Sequence, residues 1–142
     1  MFVGEGPGRN EDRMGRPFVG QAGKLLEALL ATAGLVREKI FIANVVKCRP
    51  PNNRAPRKDE IRACWPYLQK QIKIIQPKII GTLGNHATET LLGESGIGRL
   101  HGTRHEYEGT VLIPLYHPAA GLYNPDLKQI MSEDLKSLVD EL

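Results

Sequence analysis

Nowhere in the 142 residues does an apolar run reach the roughly 18–20 residues that a bilayer span requires, so no membrane segment is expected. The opening Met1-Phe2-Val3 runs straight into glycine and charge, unlike a secretory signal, and an intracellular, cytoplasmic protein is the resulting expectation. Cysteine is scarce, with only Cys48 and Cys64. Without a secretory signal a structural disulfide is not expected, and without a C-x-x-C pair the two thiols cannot complete a structural metal site. No internal repeat, low-complexity tract or linker interrupts the chain. Residues 1–142 read as a single domain, a size typical of one.

What is present is ordinary for a globular protein: 41% hydrophobic and 25% charged residues. The formal charge is +3 and the isoelectric point about 9.0. Scattered solvated lysines account for that charge as well as any ligand does. Its distribution is more telling, since Lys47, Arg49, Arg54, Arg57 and Lys58 crowd one Pro/Asn-rich loop of the kind that follows a phosphate backbone.

Short β-rich runs alternate with longer helical stretches, which predicts an α/β fold. Met1–Val3 reads as the end of a buried strand and Gln21–Ala33 as an amphipathic helix closed by Gly34. Ile40–Val46 is a second strand, followed by a polar loop from Arg49 to Arg57 whose prolines forbid regular structure. Asp59 is placed as the cap of a helix over Glu60–Gln76, in which Pro66 marks either a kink or an early turn and which Pro77 ends. Lys78–Leu83 is a third strand, and Asn85 opens a helix through Leu92. Thr103–Tyr107 and Val111–Tyr116 form a hairpin turning at Glu108-Gly109, and Asp126–Leu142 is the last helix. In open α/β sheets, binding residues gather at the carboxyl ends of strands, so Gly4–Gly8, Asn44–Arg49, Gly84–Ala87 and His117–Leu122 are expected to share one cleft.

Gly4-Glu5-Gly6-Pro7-Gly8 is not a dinucleotide fingerprint, because Arg9 stands where the third glycine should be and Pro7 lacks an amide donor. Nor is Gly23-Lys24 a Walker loop, since Leu25 follows and Phe18 replaces the first glycine. A tight turn of small residues remains, suited either to plain loop geometry or to close approach of a ligand. Phe18, flanked by glycine and proline on a loop, is either core or a stacking platform for a base. Asn44, near the end of an apolar strand, either satisfies neighbouring backbone or offers a donor and an acceptor to a ligand edge. His117 is either structural or a donor to a developing anion.

In combination these segments resemble a known family. Gly4-Glu5-Gly6-Pro7-Gly8 with Glu11-Asp12, then Gly15-Arg16-Pro17-Phe18-Val19-Gly20-Gln21-Ala22-Gly23, Asn44-Val45-Val46-Lys47-Cys48-Arg49-Pro50-Pro51, and His117-Pro118-Ala119-Ala120 resemble, in order, the family-4 uracil-DNA glycosylases, iron–sulfur enzymes common in thermophiles. The resemblance continues to Asn124-Pro125-Asp126-Leu127-Lys128. It implies a three-layer α/β/α sandwich around a short, mainly parallel sheet, and base excision repair by hydrolysis of the N-glycosidic bond of flipped uracil. Phe18 would stack on the base, Asn44 pair with its O4 and N3–H, and His117 donate to O2 and stabilise the departing anion. Gly4, Gly6, Pro7 and Gly8 would close backbone around base and phosphate, and Glu5 would orient water. Arg49, Arg54 and Arg57 would contact DNA, with Leu122 and Tyr123 as the wedge. The resemblance also implies a [4Fe–4S] cluster. Cys48 and Cys64 match its later two ligands, while the earlier C-x-x-C pair is absent, so truncation at the N-terminus is expected. Two free, buried cysteines are the alternative expectation.

Uracil-containing DNA is thus the expected partner, alongside other repair or replication proteins, for a monomer working with the nucleoid. Two other functions compete: a cousin specific for hypoxanthine or mismatched thymine, and a nucleic-acid-binding remnant without turnover. A nucleotide hydrolase would need more metal-binding carboxylate than Glu11-Asp12 supplies.

Overall fold

The computed structural model describes residues 1–142. Its centre is a sheet of five strands in the order β2-β1-β3-β5-β4, where β1 is Phe2–Gly4, β2 Ile42–Asn44, β3 Ile79–Leu83, β4 His105–Tyr107 and β5 Thr110–Leu115. All neighbours are parallel except β4 against β5, an antiparallel hairpin. The hairpin turns where predicted, with Glu108 at φ 48° and Gly109 at φ 84°. Two consecutive positive φ values match the right-handed twist of the flanking strands.

The helices are α1 (Arg9–Met14), α2 (Gln21–Thr32), α3 (Lys58–Ile75), α4 (Asn85–Leu92), α5 (Ile97–Leu100), α6 (Pro118–Tyr123) and α7 (Asp126–Asp140). Period-two alternation along the strands divides the core in two. Phe2, Ile79, Leu83, Ile113 and Leu115 pack with Leu26, Leu29 and Leu30 of α2 and with Met131, Leu135 and Leu138 of α7. Val3, Ala43, Ile80 and Leu112 face the opposite way, onto Leu68 and Ile72 of α3 and Ala87 and Leu91 of α4. This is the expected three-layer α/β/α arrangement. No helix is long and apolar enough to cross a membrane.

Several boundaries differ from expectation for identifiable reasons. Asp59 does not cap α3; the helix starts at Lys58, and Glu60 reaches back to accept from the Arg57 N–H at 2.8 Å. A carboxylate in the third helical position satisfies an orphan donor more directly than one a residue earlier. Pro66 sits inside α3, which continues through it to Ile75 and ends with Gln76 in a left-handed conformation before Pro77. The loop after β2 contains a one-turn 3-10 helix at Pro51–Asn53, with Asn52 and Asn53 both at positive φ; asparagine tolerates that region. The residues after His117, read as loop, form α6, with Pro118 in its first turn. α1, six mostly polar residues, and α5, a single turn containing Gly98, are too short to show a period.

β1 leads through α2 to β2 on one side, and β2 leads through α3 to β3 on the other. Adjacent connections therefore part company at the carboxyl ends of β1 and β3, a topological switch point where a crevice opens.

Candidate active site

Gly4 ends β1 at that crevice, and its missing side chain organises what surrounds it. A Cβ there would lie 2.7 Å from Asn44 Oδ1 and 2.8 Å from Phe18 Cε2. The Phe18 ring in turn stands 5.6 Å, centroid to centroid, from the His117 imidazole, tilted by 34°. Phe18 and Asn44 thus meet over one glycine, and His117 adjoins the Phe18 ring from a third segment. Beyond β2 the parallel pairing continues, with Val45 N–H donating to Gly4 and Val46 N–H to Glu5. Gly6 lies against Val46, where a Cβ would come within 2.6 Å of its Cγ2.

The cleft is divided. A hollow of about 440 Å³ is lined by Pro7, Arg16, Pro17, Phe41, Asn44 and Lys47 among others. A smaller one, about 150 Å³, takes in Glu5, Gly6, Pro7, Gly8, Arg54 and His117. They meet at Pro7, so the expected single cleft is two hollows on either side of the glycine-rich loop. Another surface depression, about 600 Å³ near Lys73, Gln76, Tyr107 and Glu108, lies at the opposite ends of the strands.

Asn44 is only 9% exposed, and its Oδ1 has no hydrogen-bond partner. An unsatisfied buried acceptor costs about 1–3 kcal/mol, so it is kept where something else completes it. His117 caps α6: its Nδ1 accepts from Ala119 N–H at 3.1 Å. Burial pushes its pKa below the ordinary 6.5, so the ring is neutral at pH 7. With Nδ1 committed as an acceptor, the proton resides on Nε2, which is left to donate.

Phe18 is buried at 6% exposure and belongs to the core against Leu26 and Leu29, yet its backbone is at φ 51°. A bulky residue in that region is strained by about 1–3 kcal/mol and must be held there. Three features hold it. Glu11 accepts from the N–H groups of Val19 and Gly20 at 2.9 Å each, and from Gly8 N–H at 3.0 Å, tying the glycine loop to the Phe18 loop. Arg37 donates to the carbonyls of Pro17 and Phe18. Gly23 leaves the Phe18 carbonyl its room, since a Cβ there would fall 2.0 Å from that oxygen. The sequence reading gave Glu11 no role beyond its place in the first motif and passed over Arg37. The spacing of Glu11 three residues after Gly8 signalled a capping role; nothing local signalled Arg37.

The basic loop is less free than its composition implied. Arg54 is held by Glu60 in a bidentate pair at 2.7 and 3.0 Å, and the Arg54 guanidinium, then the Arg57 N–H, hold the Glu60 carboxyl down at about 2. Lys47 Nζ donates to Asn44 O at 2.8 Å and to Gln71 Oε1 at 2.6 Å, and burial lowers its pKa. It anchors the end of β2 from within. Arg49 donates to Asn53 Oδ1, while Arg57 is exposed. Leu122 and Tyr123 project from α6 at 41% and 89% exposure.

Both cysteines are free, but only Cys64 is partly buried; Cys48 is exposed, since it follows the end of strand pairing. Two buried thiols are therefore not what the fold contains. Cys64 Sγ accepts from Lys47 N–H at 3.3 Å, which brings the helix α3 thiol beside the Lys47-Cys48 backbone. No cluster of three or more His, Cys, Asp or Glu side chains is arranged for a metal ion. Four thiolates are the usual requirement of a [4Fe–4S] cluster, so the donors of these residues do not by themselves fit one.

The sequence profile of the Uracil DNA glycosylase superfamily matches residues 1–141. Among curated relatives, the Type-4 uracil-DNA glycosylase of Sulfurisphaera tokodaii is 51% identical over 97% of this chain and 67% of its own length. That of Saccharolobus solfataricus is 50% identical over 100% of this chain and 70% of its own length. That of Thermotoga maritima is 45% identical, over 96% and 73% respectively.

Proposed function

Because this chain belongs to the uracil-DNA glycosylase superfamily and is a uracil-excising glycosylase of DNA repair, we propose that the Gly4, Phe18, Asn44 and His117 constellation is the pocket that receives the flipped base. The observation that carries this reading is the orphaned, buried Oδ1 of Asn44. Uracil presents N3–H, which fills that acceptor, beside O4, which takes a hydrogen bond from the same carboxamide's nitrogen. Cytosine presents a bare N3 and an exocyclic amine, so both contacts invert and both groups are left unmet. Sites built on such bonds reject the wrong partner far better than apolar pockets do.

A base inside a duplex is out of reach of these groups, and the nucleotide is extruded at a cost of a few kcal/mol, least where pairing is poor. Phe18 then offers its face to the ring. As the glycosidic bond lengthens, the sugar gains positive charge and the base negative charge. Neutral His117, donating from Nε2 to uracil O2, stabilises the departing anion without having to transfer a proton. Gly6, Pro7 and Gly8 admit backbone close to base and phosphate. Glu5, in the same small hollow as His117, orients the water that traps the sugar cation. Half-buried Arg49 and exposed Arg57 contact phosphates, Arg54 holds the loop through Glu60, and Leu122 with Tyr123 fills the vacated stack.

Cys48 and Cys64 stand as two thiolates of an iron–sulfur cluster in this reading. The remaining donors would have to come from outside the 142 residues, and no catalytic step passes through that group.

Oligonucleotides carrying uracil, hypoxanthine or thymine opposite guanine, scored for abasic sites, test the activity: uracil should be excised, and cutting of only the other two would overturn the assignment. Asn44→Asp tests the pocket. It should lower uracil excision by at least about a hundredfold and admit cytosine, because the donor to O4 becomes an acceptor. Unchanged discrimination would remove Asn44 from this role.

A further inference from the structure

We infer that Arg37 is a positioning residue for uracil excision, acting through Phe18. It sits in a one-turn 3-10 helix at Arg37–Lys39, just before β2 and outside every motif of the pocket, nineteen residues after the Phe18 that it holds. Its side chain is 15% exposed. Nη1 donates to the Phe18 carbonyl and to Glu27 Oε1, the latter at 3.0 Å, and Nη2 donates to the Pro17 carbonyl. Two consecutive carbonyls are thereby aimed at one planar fork, an orientation that fits the left-handed turn at Phe18. Glu11 holds the following two N–H groups from the other side. The strained turn is thus gripped by a cation at its carbonyls and an anion at its amides, and the ring is held over Gly4 beside Asn44 Oδ1, 5.6 Å from the His117 imidazole. Lysine cannot substitute, because a single ammonium lacks the spaced, coplanar donors that span both carbonyls.

The inference rests on Phe18 being the stacking surface for the base, and the test separates the two. Steady-state and single-turnover excision from a uracil-containing single strand are compared for wild type, Arg37→Ala, Arg37→Lys, Phe18→Ala and the Arg37→Ala/Phe18→Ala double variant, each with its thermal midpoint. Displacing a reacting partner by about 1 Å costs on the order of a hundredfold, so Arg37→Ala should lose about 10- to 100-fold in excision. The double variant should be within about twofold of Phe18→Ala, because both changes disable one device. Guanidinium ion at sub-denaturing concentration should restore several-fold activity to Arg37→Ala and none to Phe18→Ala. Losses that multiply in the double variant, or an Arg37→Ala enzyme of wild-type activity beside a damaged Phe18→Ala, overturn the inference alone. Wild-type activity in Phe18→Ala overturns the stacking reading and this inference with it. If Arg37→Ala does not fold, Arg37→Lys carries the same comparison, with the same expected non-additivity.

Discussion

His117 shows how much chemistry one hydrogen bond can fix. Ala119 N–H is unambiguously a donor, so Nδ1 must be bare and Nε2 must carry the proton. Protonating the ring would place two donors face to face and add a charge in a buried position. Burial accordingly holds its pKa below 6.5. Between that lowered value and 6.5 the unfolded chain binds a proton that the folded one does not, so this group favours folding more as pH rises through that window and loses the contribution as pH falls. Turnover should stay flat from neutral pH down past 6.5 and decline only below it, as measured by the pH dependence of kcat. An acid limb centred at or above 6.5 would mean the ring is not desolvated as described. His117→Ala should lower kcat about 100-fold or more, the range for removing one donor from a developing anion, while DNA affinity changes little. Equal losses in both would contradict a role in the transition state.

At the level of elements, the packing of α2 against the Phe18 loop is decided by an absent side chain. Gly23 lies inside α2 and is buried, and a methyl group there would collide with a backbone oxygen, which has no flexible end to yield. Gly23→Ala should therefore cost at least about 1–3 kcal/mol in urea unfolding. It should also reduce excision beyond what the unfolded fraction explains, because the shift falls on the turn that carries the ring. Full activity with reduced stability would show that the loop tolerates displacement. The elements themselves were largely legible. α2, α4, α7 and the β4–β5 hairpin follow from apolar spacing, from Gly34, and from Glu108-Gly109. α1 and α6 were not, because six-residue helices rich in glycine, proline or charge have no period to read. The bidentate Arg54–Glu60 pair was equally hidden, since composition gives charge but not its partner.

For the whole molecule, the mild positive charge and the two exposed residues of α6 set how a duplex would be met. Leu122 and Tyr123 stand on the same short helix that His117 caps, so a wedge there would enter the stack beside the base it displaces. Leu122→Ala and Tyr123→Ala should impair excision from double-stranded uracil DNA several-fold more than from single strands, where no stack needs filling. Equal effects on the two substrates would leave these side chains without that function.

The residue types of the proposed pocket are written locally. A carboxamide at the end of an apolar strand, an aromatic between glycines, and an imidazole before proline can each be found by reading along the chain, and so can the alternation that builds a sheet with two covered faces. Their juxtaposition is not local. It depends on parallel strands bringing residues 4, 44 and 117 to one edge, on the division of the cleft at Pro7, and on Arg37 reaching the turn at Phe18 from nineteen residues further along the chain. Chain periodicity reports which face a residue turns to its own neighbours; only long-range packing determines which buried donor or acceptor is left without a mate.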